Sequence, residues 1–393
     1  MTVTSSNRTD ISYVAESTPG TTPATPTFQL LPTTGGAPSG NLTTEISQVI
    51  RSDRATDDLI VVDSDVMADA INFELSYTPY KPIMDSLLQN DTAKTVAISA
   101  SDISAVNSTS SLDGTLTNFV TENVQVGQII RVAGFTGVTS NNRYYYVTSV
   151  ASDSIGVYPA PADDASGETV TIDAVSRNNG TSTPDSFTFC KRVQGIANTA
   201  YFYYRGMQIS QMVFNYQLGS ILGGSFGLMG LEEDPTETPI AGQSFTAIPS
   251  YTVMSPATSV KLATIIGSGL SAAPRFESTN ITINNNINAA KQIGTLGAAD
   301  LASFTLDVTG DIRVYFEDVD QYLLFRNSTE FALALVSEDA SGNAVGIGLP
   351  RCKFEELEPP IEGKDNFFML NGSFRALYSS AAGAQVVFSH IAA

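Results

Sequence analysis

Two long stretches of this chain follow the same order of elements, and this internal repeat restricts the possible folds more than any other feature. Residues 45–90 and 281–327 each predict a strand, a polar connection, an alternating strand and a short helix. Each predicted helix ends in a Leu-Leu pair that is followed by Asn, a common residue at helix C-termini. These residues are Leu87, Leu88 and Asn90 in the first copy, and Leu323, Leu324 and Asn327 in the second.

The repeat continues downstream, where residues 205–230 align with residues 351–378. Arg205 aligns with Arg351, and a Gly-Ser-Phe triplet at 224–226 aligns with the same triplet at 372–374. Each identity is weak alone, but their shared order favours duplication of one unit over chance similarity.

The two copies differ in one connection. Asn327 is separated from the next predicted strand, at Phe331, by a few residues, whereas residues 91–186 separate Asn90 from Phe187. This extra stretch is rich in Ser, Asp, Thr and Asn and contains three short predicted strands, in VGQIIRVAGF, NNRYYYVTSV and DSIGVYPA. We therefore expect a small antiparallel β domain inserted in a loop, where closure entropy grows slowly with length.

The remaining boundaries follow from the repeat and the composition. The first unit comprises residues 28–90 and 187–240, and the second comprises residues 241–393. Residues 1–27 are rich in Ser, Thr and Pro, so we expect little burial and an extended or disordered N-terminal arm. The segment MADAINFELSY predicts a strand with Ala68, Ala70, Phe73, Leu75 and Tyr77 on one face, and YKPIMDSLLQN predicts a helix.

The charge balance limits the classes of partner. The chain has 20 Lys and Arg against 40 Asp and Glu, a net charge of -20. Such a surface is unsuited to gripping nucleic acid, although nucleic acid can pass it without adhering. Cys190 and Cys352 cannot form a disulfide framework, which indicates reduced structural thiols. Neither a secretory signal nor a membrane-length apolar run is evident, so we expect folding in a cytoplasm.

Motifs for chemistry are weak. GGSFG at 223–227 fits the G-x-S-x-G pattern of hydrolases, with His390 downstream, but no helix follows Ser225 as that motif requires. The second copy has Arg375 in place of the last Gly, so close strand packing explains both triplets better than catalysis. One His and two distant Cys give no metal-ligand spacing, and the glycines around 219–230 lack the Lys of a phosphate loop. We therefore expect no enzymatic activity, no cofactor and no metal.

One cluster of charge stands out in a chain that is otherwise poor in charge. SQVIRSDRATDD, residues 47–58, follows a predicted strand and lies before another. Its charged residues are Arg51, Asp53, Arg54, Asp57 and Asp58.

Residues 28–90 and 187–393 resemble a tail tube protein, also called a major tail protein, of long-tailed bacteriophages. The resemblance is carried by FQLLPTTGG (28–36), by the pattern S-x-x-I-R-x-D-R from Ser47 to Arg54, and by FELSYTPYKPIMDSLL. The insertion also resembles an extra module of some such proteins. The implied fold is mainly β: two tandem tube-type β-sandwich or barrel domains, each with a short flanking helix, plus the inserted domain.

The resemblance implies a structural virion protein that is assembled in the host cytoplasm and polymerises as stacked rings. Two fused units per chain imply homotrimeric rings with pseudo-sixfold symmetry. The implied partners are other copies of the chain, the tape measure protein and the tail tip and terminator proteins, with no membrane. Genome DNA would pass through the lumen without specific binding during ejection. The alternative is another virion surface β-protein, such as a fibre, decoration or adhesin subunit that binds a host ligand.

Two expectations follow for particular segments. The resemblance places an inter-ring arm at SDRATDDLIVVDSD, residues 52–65, and the candidate inter-subunit contacts are Arg51, Asp53, Arg54, Asp57 and Asp58. The alternative is a solvated hairpin whose salt bridges are internal. The inserted domain is expected on the outer surface, and replacing residues 91–186 by a short linker is expected to leave assembly intact.

Overall fold

The structure is a computed structural model that describes residues 3–249, 251–268, 270, 273–361 and 363–393. Strands dominate the described residues, with two short α-helices and short 3-10 turns at Ser6–Arg8 and Thr139–Asn141. The mainly β fold expected from the sequence is confirmed.

The chain begins with four strands and a helix. These are β1 (Thr9–Glu16), β2 (Thr27–Leu31), β3 (Ser39–Ile46), β4 (Leu59–Glu74) and α1 (Lys81–Leu87). Helix α1 forms where helical spacing predicted it, with Pro82 in its first turn and Ile83, Met84 and Leu87 buried.

The expectation that Ala70 lies on the buried face of β4 is wrong. Ala70 is exposed, whereas Ala68 and Ile71 are buried. Against the neighbouring strand, Ala68 pairs with Leu228 and Ile71 pairs with Phe226, so β4 has one extra residue between these pairs. Such a bulge reverses which face the following side chains occupy.

Seven strands lie between α1 and the return of the chain to the first unit. They are β5 (Lys94–Ala100), β6 (Ile103–Val106), β7 (Ser111–Gly114), β8 (Ile129–Ala133), β9 (Tyr144–Val150), β10 (Ser154–Tyr158) and β11 (Val170–Asn178). The three strands predicted in this stretch are confirmed as β8, β9 and β10. We refer to residues 91–186 as the inserted module.

The chain then forms five strands. They are β12 (Ser186–Val193), β13 (Ala200–Gln217), β14 (Gly223–Gly230), β15 (Glu232–Thr236) and β16 (Ser244–Thr246). The C-terminal part contains nine strands and the second helix. They are β17 (Val260–Gly267), β18 (Phe276–Asn284), β19 (Asn288–Lys291), β20 (Ala298–Ala302), β21 (Asp307–Tyr315), α2 (Val319–Arg326), β22 (Phe331–Glu338), β23 (Ala344–Glu358), β24 (Met369–Ala376) and β25 (Val387–Ile391).

Strand pairing repeats between the two halves of the chain. An antiparallel sheet has the order β3-β4-β14-β13 in the first half and continues as β18-β21-β24-β23 in the second. Each helix follows the equivalent strand, β4 or β21, and packs against the long strand of its own half, β13 or β23. We call this eight-stranded sheet the inner sheet.

A second layer repeats in the same way. Its order is β1-β12-β13-β15 in the first half and β17-β22-β23-β25 in the second. The long strands β13 and β23 therefore take part in both layers. One hydrophobic core fills the space between the layers and includes Phe73, Phe189 and Phe214 from the first half and Leu333 and Phe374 from the second.

The expectation of little burial in residues 1–27 is wrong for its strand. Ile11 and Tyr13 on β1 are buried, and β1 pairs with β12 from Thr9 to Glu16. The Ser, Thr and Pro content of the whole segment concealed an alternating stretch whose pairing partner lies far away in sequence.

The inserted module also packs onto the rest of the chain. Its strand β11 pairs with β25, and its core includes Leu262, Val336 and Ile391 from the second half. The module therefore shares a core with the second half, which the sequence alone did not indicate.

Candidate assembly surfaces

One face of the inner sheet is a broad polar surface around an open hollow of about 1030 Å³. Alternation along the strands creates it: Phe214, Tyr216 and Ile281 are directed into the core, whereas their neighbours Asn215 and Asn280 line the hollow. Side chains from both halves contribute. They include Glu74, Asn215, Gln217, Ser278, Asn280, Asp311, Arg313, Glu356, Glu358, Asn371 and Ser373.

This polar face is acidic. Glu74, Asp311, Glu356 and Glu358 line the hollow, and the one cation among its lining residues, Arg313, pairs with Glu277. Nearby on β24, Arg375 is 2.5 Å from Glu355 and also pairs with Asp307. Because these arginines are neutralised, the face presents little positive charge to solvent.

The Gly-Ser-Phe triplets occupy equivalent positions on β14 and β24 of the inner sheet. Phe226 and Phe374 are fully buried, and a Cβ on Gly224 would lie 1.8 Å from the carbonyl oxygen of Val213. Ser225 lies within a strand, and no helix follows it. Close strand packing therefore explains the triplets, as the sequence suggested.

The two ends of the inner sheet have free edges. In the described residues, β3 pairs with β4 alone, and the part of β23 from Lys353 to Glu358 pairs with β24 alone. The equivalent part of β13 pairs on both sides, with β14 and with β18. Unpaired edges invite another strand, so both ends are candidate assembly surfaces.

Two hairpin arms extend from the inner sheet. The first arm, residues 39–65, comprises β3, the charged loop 47–58 and the start of β4, and the second arm, residues 284–304, contains β19 and β20. The first arm exposes an unusual number of large apolar side chains: Leu42, Ile46, Val49, Ile50, Leu59, Ile60, Val61 and Val62. Because monomeric proteins rarely expose such a continuous apolar surface, the first arm is a further candidate assembly surface.

The five candidate contact residues lie together at the tip of the first arm. Arg51 Nε is 3.2 Å from Asp53 Oδ1, and Arg51 also pairs with Asp57. Asp58 accepts a hydrogen bond from the backbone N–H of Leu59 at 2.7 Å, and Arg54 is exposed. These internal ion pairs agree with the solvated-hairpin alternative within one chain, and the role of the five residues between chains stays a prediction. The exposure of the apolar side chains beside them, from Leu59 to Val62, was not predicted, because such a run has the composition of a buried strand.

The second arm lies against the first. Lys291 Nζ contacts Asp63 Oδ2 at 2.5 Å and Asp65 Oδ1 at 2.7 Å. The bond to Asp63 raises the pKa of Lys291, and the same bond lowers the pKa of the Asp63 carboxyl. This contact joins the arms of the two halves within one chain.

A comparison with protein families identifies the family of the chain that carries these surfaces. A family model described as phage tail tube protein matches residues 6–382. The chain belongs to this family. Membership identifies a structural component of the virion tail and implies a role other than catalysis. No curated protein matched the tail tube chain in a separate search.

A buried polar cluster in the tail tube chain joins three parts of the fold. Asp85 of α1 lies 2.6 Å from Lys81 Nζ, 3.4 Å from Arg177 Nε of the inserted module, and 3.4 Å from His390 Nε2 of β25. Burial lowers the pKa of His390 despite the nearby carboxylate, so the imidazole is neutral at neutral pH. Burial alone would raise the pKa of Asp85, but the nearby His390 and the hydrogen bond from Lys81 outweigh it and hold the value at about 2.

This cluster is structural in the tail tube protein. His390 is buried beside Asp85 on β25 of the second layer, whereas Ser225 lies on β14 of the inner sheet, so the Ser and His of the hydrolase-like order lie in different layers of the fold. No three His, Cys, Asp or Glu side chains among the described residues form a group that could hold a metal ion. Within that same part of the chain, no helix has the length and apolar character needed to cross a bilayer.

Proposed function

We propose that three copies of this chain close into a ring, and that stacked rings form the hollow tail tube through which genome DNA is ejected. The observation that carries this proposal is the junction between the two halves. There, β13 of the first half pairs with β18 of the second, from Gln211 with Asn284 to Gln217 with Ser278.

Each free edge of the inner sheet is equivalent to one of the two strands that pair at this junction. Asn72 pairs with Ser225 and bridges Gly35, and at the equivalent position Asp311 pairs with Ser373 and Asn280. The segment around Gly35 is therefore the first-half equivalent of β18, and the end of β23 is the second-half equivalent of β13. Repeating the junction between chains places Glu356–Glu358 of one chain beside Gly35–Ala37 of the next.

The ring needs three chains if its wall contains six halves. Closed cyclic assemblies are the usual form for such head-to-tail contacts, and repetition of one junction closes every free edge of the inner sheet. The ring has pseudo-sixfold rather than sixfold symmetry because the halves differ, above all by the inserted module.

The polar face of the inner sheet is the surface that we assign to the lumen. Its acidic side chains repel phosphates, so DNA passes without a binding site at each ring. The module pairs with β25 in the other layer, which supports its placement on the outside. In this arrangement the tape measure protein occupies the lumen before ejection, and the tip and terminator proteins bind the two ends of the tube.

Electron microscopy of concentrated purified protein tests the proposal. We expect hollow rods of uniform width, with three outer projections around a roughly sixfold wall in views along the tube. Six projections per ring, or compact particles without a channel, would contradict the ring as proposed.

A charge pair tests the edge contact itself. Gly35 has ordinary backbone geometry, and an added Cβ would meet nothing closer than the Asn72 side chain at 3.7 Å. Gly35→Glu should therefore leave the monomer folded but place a carboxylate beside Glu358 of the next chain and reduce polymerisation. Adding Glu358→Lys should restore polymerisation, and an absence of rescue would argue against this edge pairing.

A further inference from the structure

The two arms occupy equivalent positions in their halves, and their pairings match at the base and towards the tip, although the one-residue bulge follows Thr43 in the first arm and Ala290 in the second. Thr43 pairs with Asp63 in the first arm as Asn288 pairs with Ala302 in the second. Towards the tips, Ile46 pairs with Leu59 as Lys291 pairs with Ala298.

These pairings identify the residues that occupy, in the opposite arm, the positions of the three residues that join the arms within one chain. Lys291 of the second arm binds Asp63 and Asp65 of the first arm in the same chain. The residue equivalent to Lys291 is Ile46, and the residues equivalent to Asp63 and Asp65 are Ala302 and Phe304. Each of these three charged residues therefore corresponds to an apolar residue at the equivalent position of the other arm.

All three apolar residues are exposed in the single chain. Ile46 is 54% exposed and Phe304 is 63% exposed, and Ala302 is also on the surface. Exposure of Ile46 and Phe304 to water is unfavourable, and another copy of the chain could remove it by covering both side chains.

We propose that the first arm of each chain lies on the second arm of the neighbouring chain in the ring, with Ile46 packed against Ala302 and Phe304. This inference rests on the ring proposed above and adds the second contact by which neighbouring chains recognise each other. The partner is a second copy of this chain, and its apolar surface takes the place that Asp63 and Asp65 occupy within one chain.

The difference in chemistry gives the contact specificity. Ile46 placed on Asp63 and Asp65 would bury part of two carboxylates without a cation. Lys291 placed on Ala302 and Phe304 would lose both of its acidic partners. Exchanging the arms is therefore unfavourable in both directions, so contacts within a chain and contacts between chains are kept distinct.

The inference is tested by replacing the apolar contact between chains with the charged contact that occurs within one chain. Ile46→Lys should raise the protein concentration needed for tube formation about tenfold, the order expected for losing one such apolar contact. Adding Ala302→Asp and Phe304→Asp to this variant rebuilds the Lys291 contact between chains and should recover most of the loss. The readouts are sedimentation of polymer and electron microscopy of the pellet.

Ile60→Lys is the matched control. Ile60 is also 54% exposed and lies on the same arm, but it pairs with Glu45 and so faces the opposite side from Ile46. Adding Ala302→Asp and Phe304→Asp should therefore restore polymerisation to Ile46→Lys but not to Ile60→Lys. Equal recovery of the two lysine variants, or recovery of neither, would overturn the inference.

A proximity measurement separates this inference from the ring itself. The native thiols of Cys190 and Cys352 are buried, so Ile46→Cys with Phe304→Cys can be joined selectively by a short bismaleimide. In assembled tubes we expect covalent dimers and trimers on a denaturing gel, and none from Ile60→Cys with Phe304→Cys. Normal tubes without this cross-link would overturn the arm contact and leave the ring standing, whereas a wild-type chain that never forms tubes would overturn both.

Discussion

Removal of the inserted module should destabilise the second half of the chain. The sequence alone led us to expect that a short linker in place of residues 91–186 would be harmless, but the shared core changes that expectation. Deletion would expose the residues of the second half that pack against the module: Leu262, Ala332, Ala334, Val336, Ala344 and Ile391. It would also leave β25 without β11 as a neighbour and so create a new free edge.

The size of the effect follows from the exposed side chains. Each of the three large aliphatic residues loses roughly 1.5–3 kcal/mol of burial, and the alanines add less, so the total is on the order of 6–10 kcal/mol. That is comparable with the whole free energy of unfolding of a typical domain, roughly 5–15 kcal/mol. We therefore expect the deletion variant to aggregate or to unfold at a much lower urea concentration.

Size-exclusion chromatography and urea unfolding followed by far-ultraviolet circular dichroism provide the assay, since the chain contains no tryptophan. A repaired deletion variant with Leu262→Ser, Val336→Thr and Ile391→Thr should regain solubility because its new surface is polar. The same three substitutions in the full chain should lower the urea midpoint, because there the side chains are buried. A soluble deletion variant with an unchanged midpoint would refute the reasoning.

Three further predictions concern the arm, the buried cluster and the inner sheet. Arg51→Glu with Arg54→Glu should leave the melting temperature of the monomer nearly unchanged, because exposed ion pairs contribute about 0–1 kcal/mol, but it should reduce polymerisation measured by sedimentation. A much lower melting temperature would favour a purely internal role for these salt bridges. Acidification from about pH 7 to about pH 5 should lower the free energy of unfolding, because burial lowers the pKa of His390 in the folded chain and the unfolded chain therefore binds the proton more readily. The contribution of His390 is at most about 1.4 kcal/mol per pH unit. His390→Gln should flatten that part of a urea-midpoint profile against pH, and an equally steep profile would show that other groups are responsible. Gly224→Val should prevent folding into the native sheet, since its Cβ would collide with a carbonyl oxygen, whereas Ser225→Ala on the polar face should have little effect on the circular dichroism spectrum and melting temperature.

Local patterns predicted the features that depend on neighbouring residues. The spacing of Ile83, Met84 and Leu87 was sufficient for α1, and the repeated order of elements indicated that α2 would follow the equivalent strand. The Gly-Ser-Phe triplets were correctly attributed to packing because both copies occupy equivalent strands.

Features that depend on distant partners could not be predicted in this way. The pairing of β11 with β25 joins Val175 to His390, and nothing near either residue indicates the other. The run from Leu59 to Val62 has the composition of a buried strand, and its exposure follows only from its position beyond the sheet. The reversal at Ala70 depends on a bulge that is defined by the neighbouring strand.

Fusion of two halves in one polypeptide has a kinetic consequence for the proposed ring. The junction of β13 with β18 forms within the chain, so alternate joints of the wall are complete before any subunits meet. A ring nucleus then requires the encounter of three bodies rather than six, and each avoided encounter saves the translational and rotational entropy of one association step. Fusion also allows the two kinds of joint to evolve separately, because a substitution at Lys291 alters one kind and a substitution at Ile46 alters the other. A ring of identical single units would have to accept every such change at all of its joints at once.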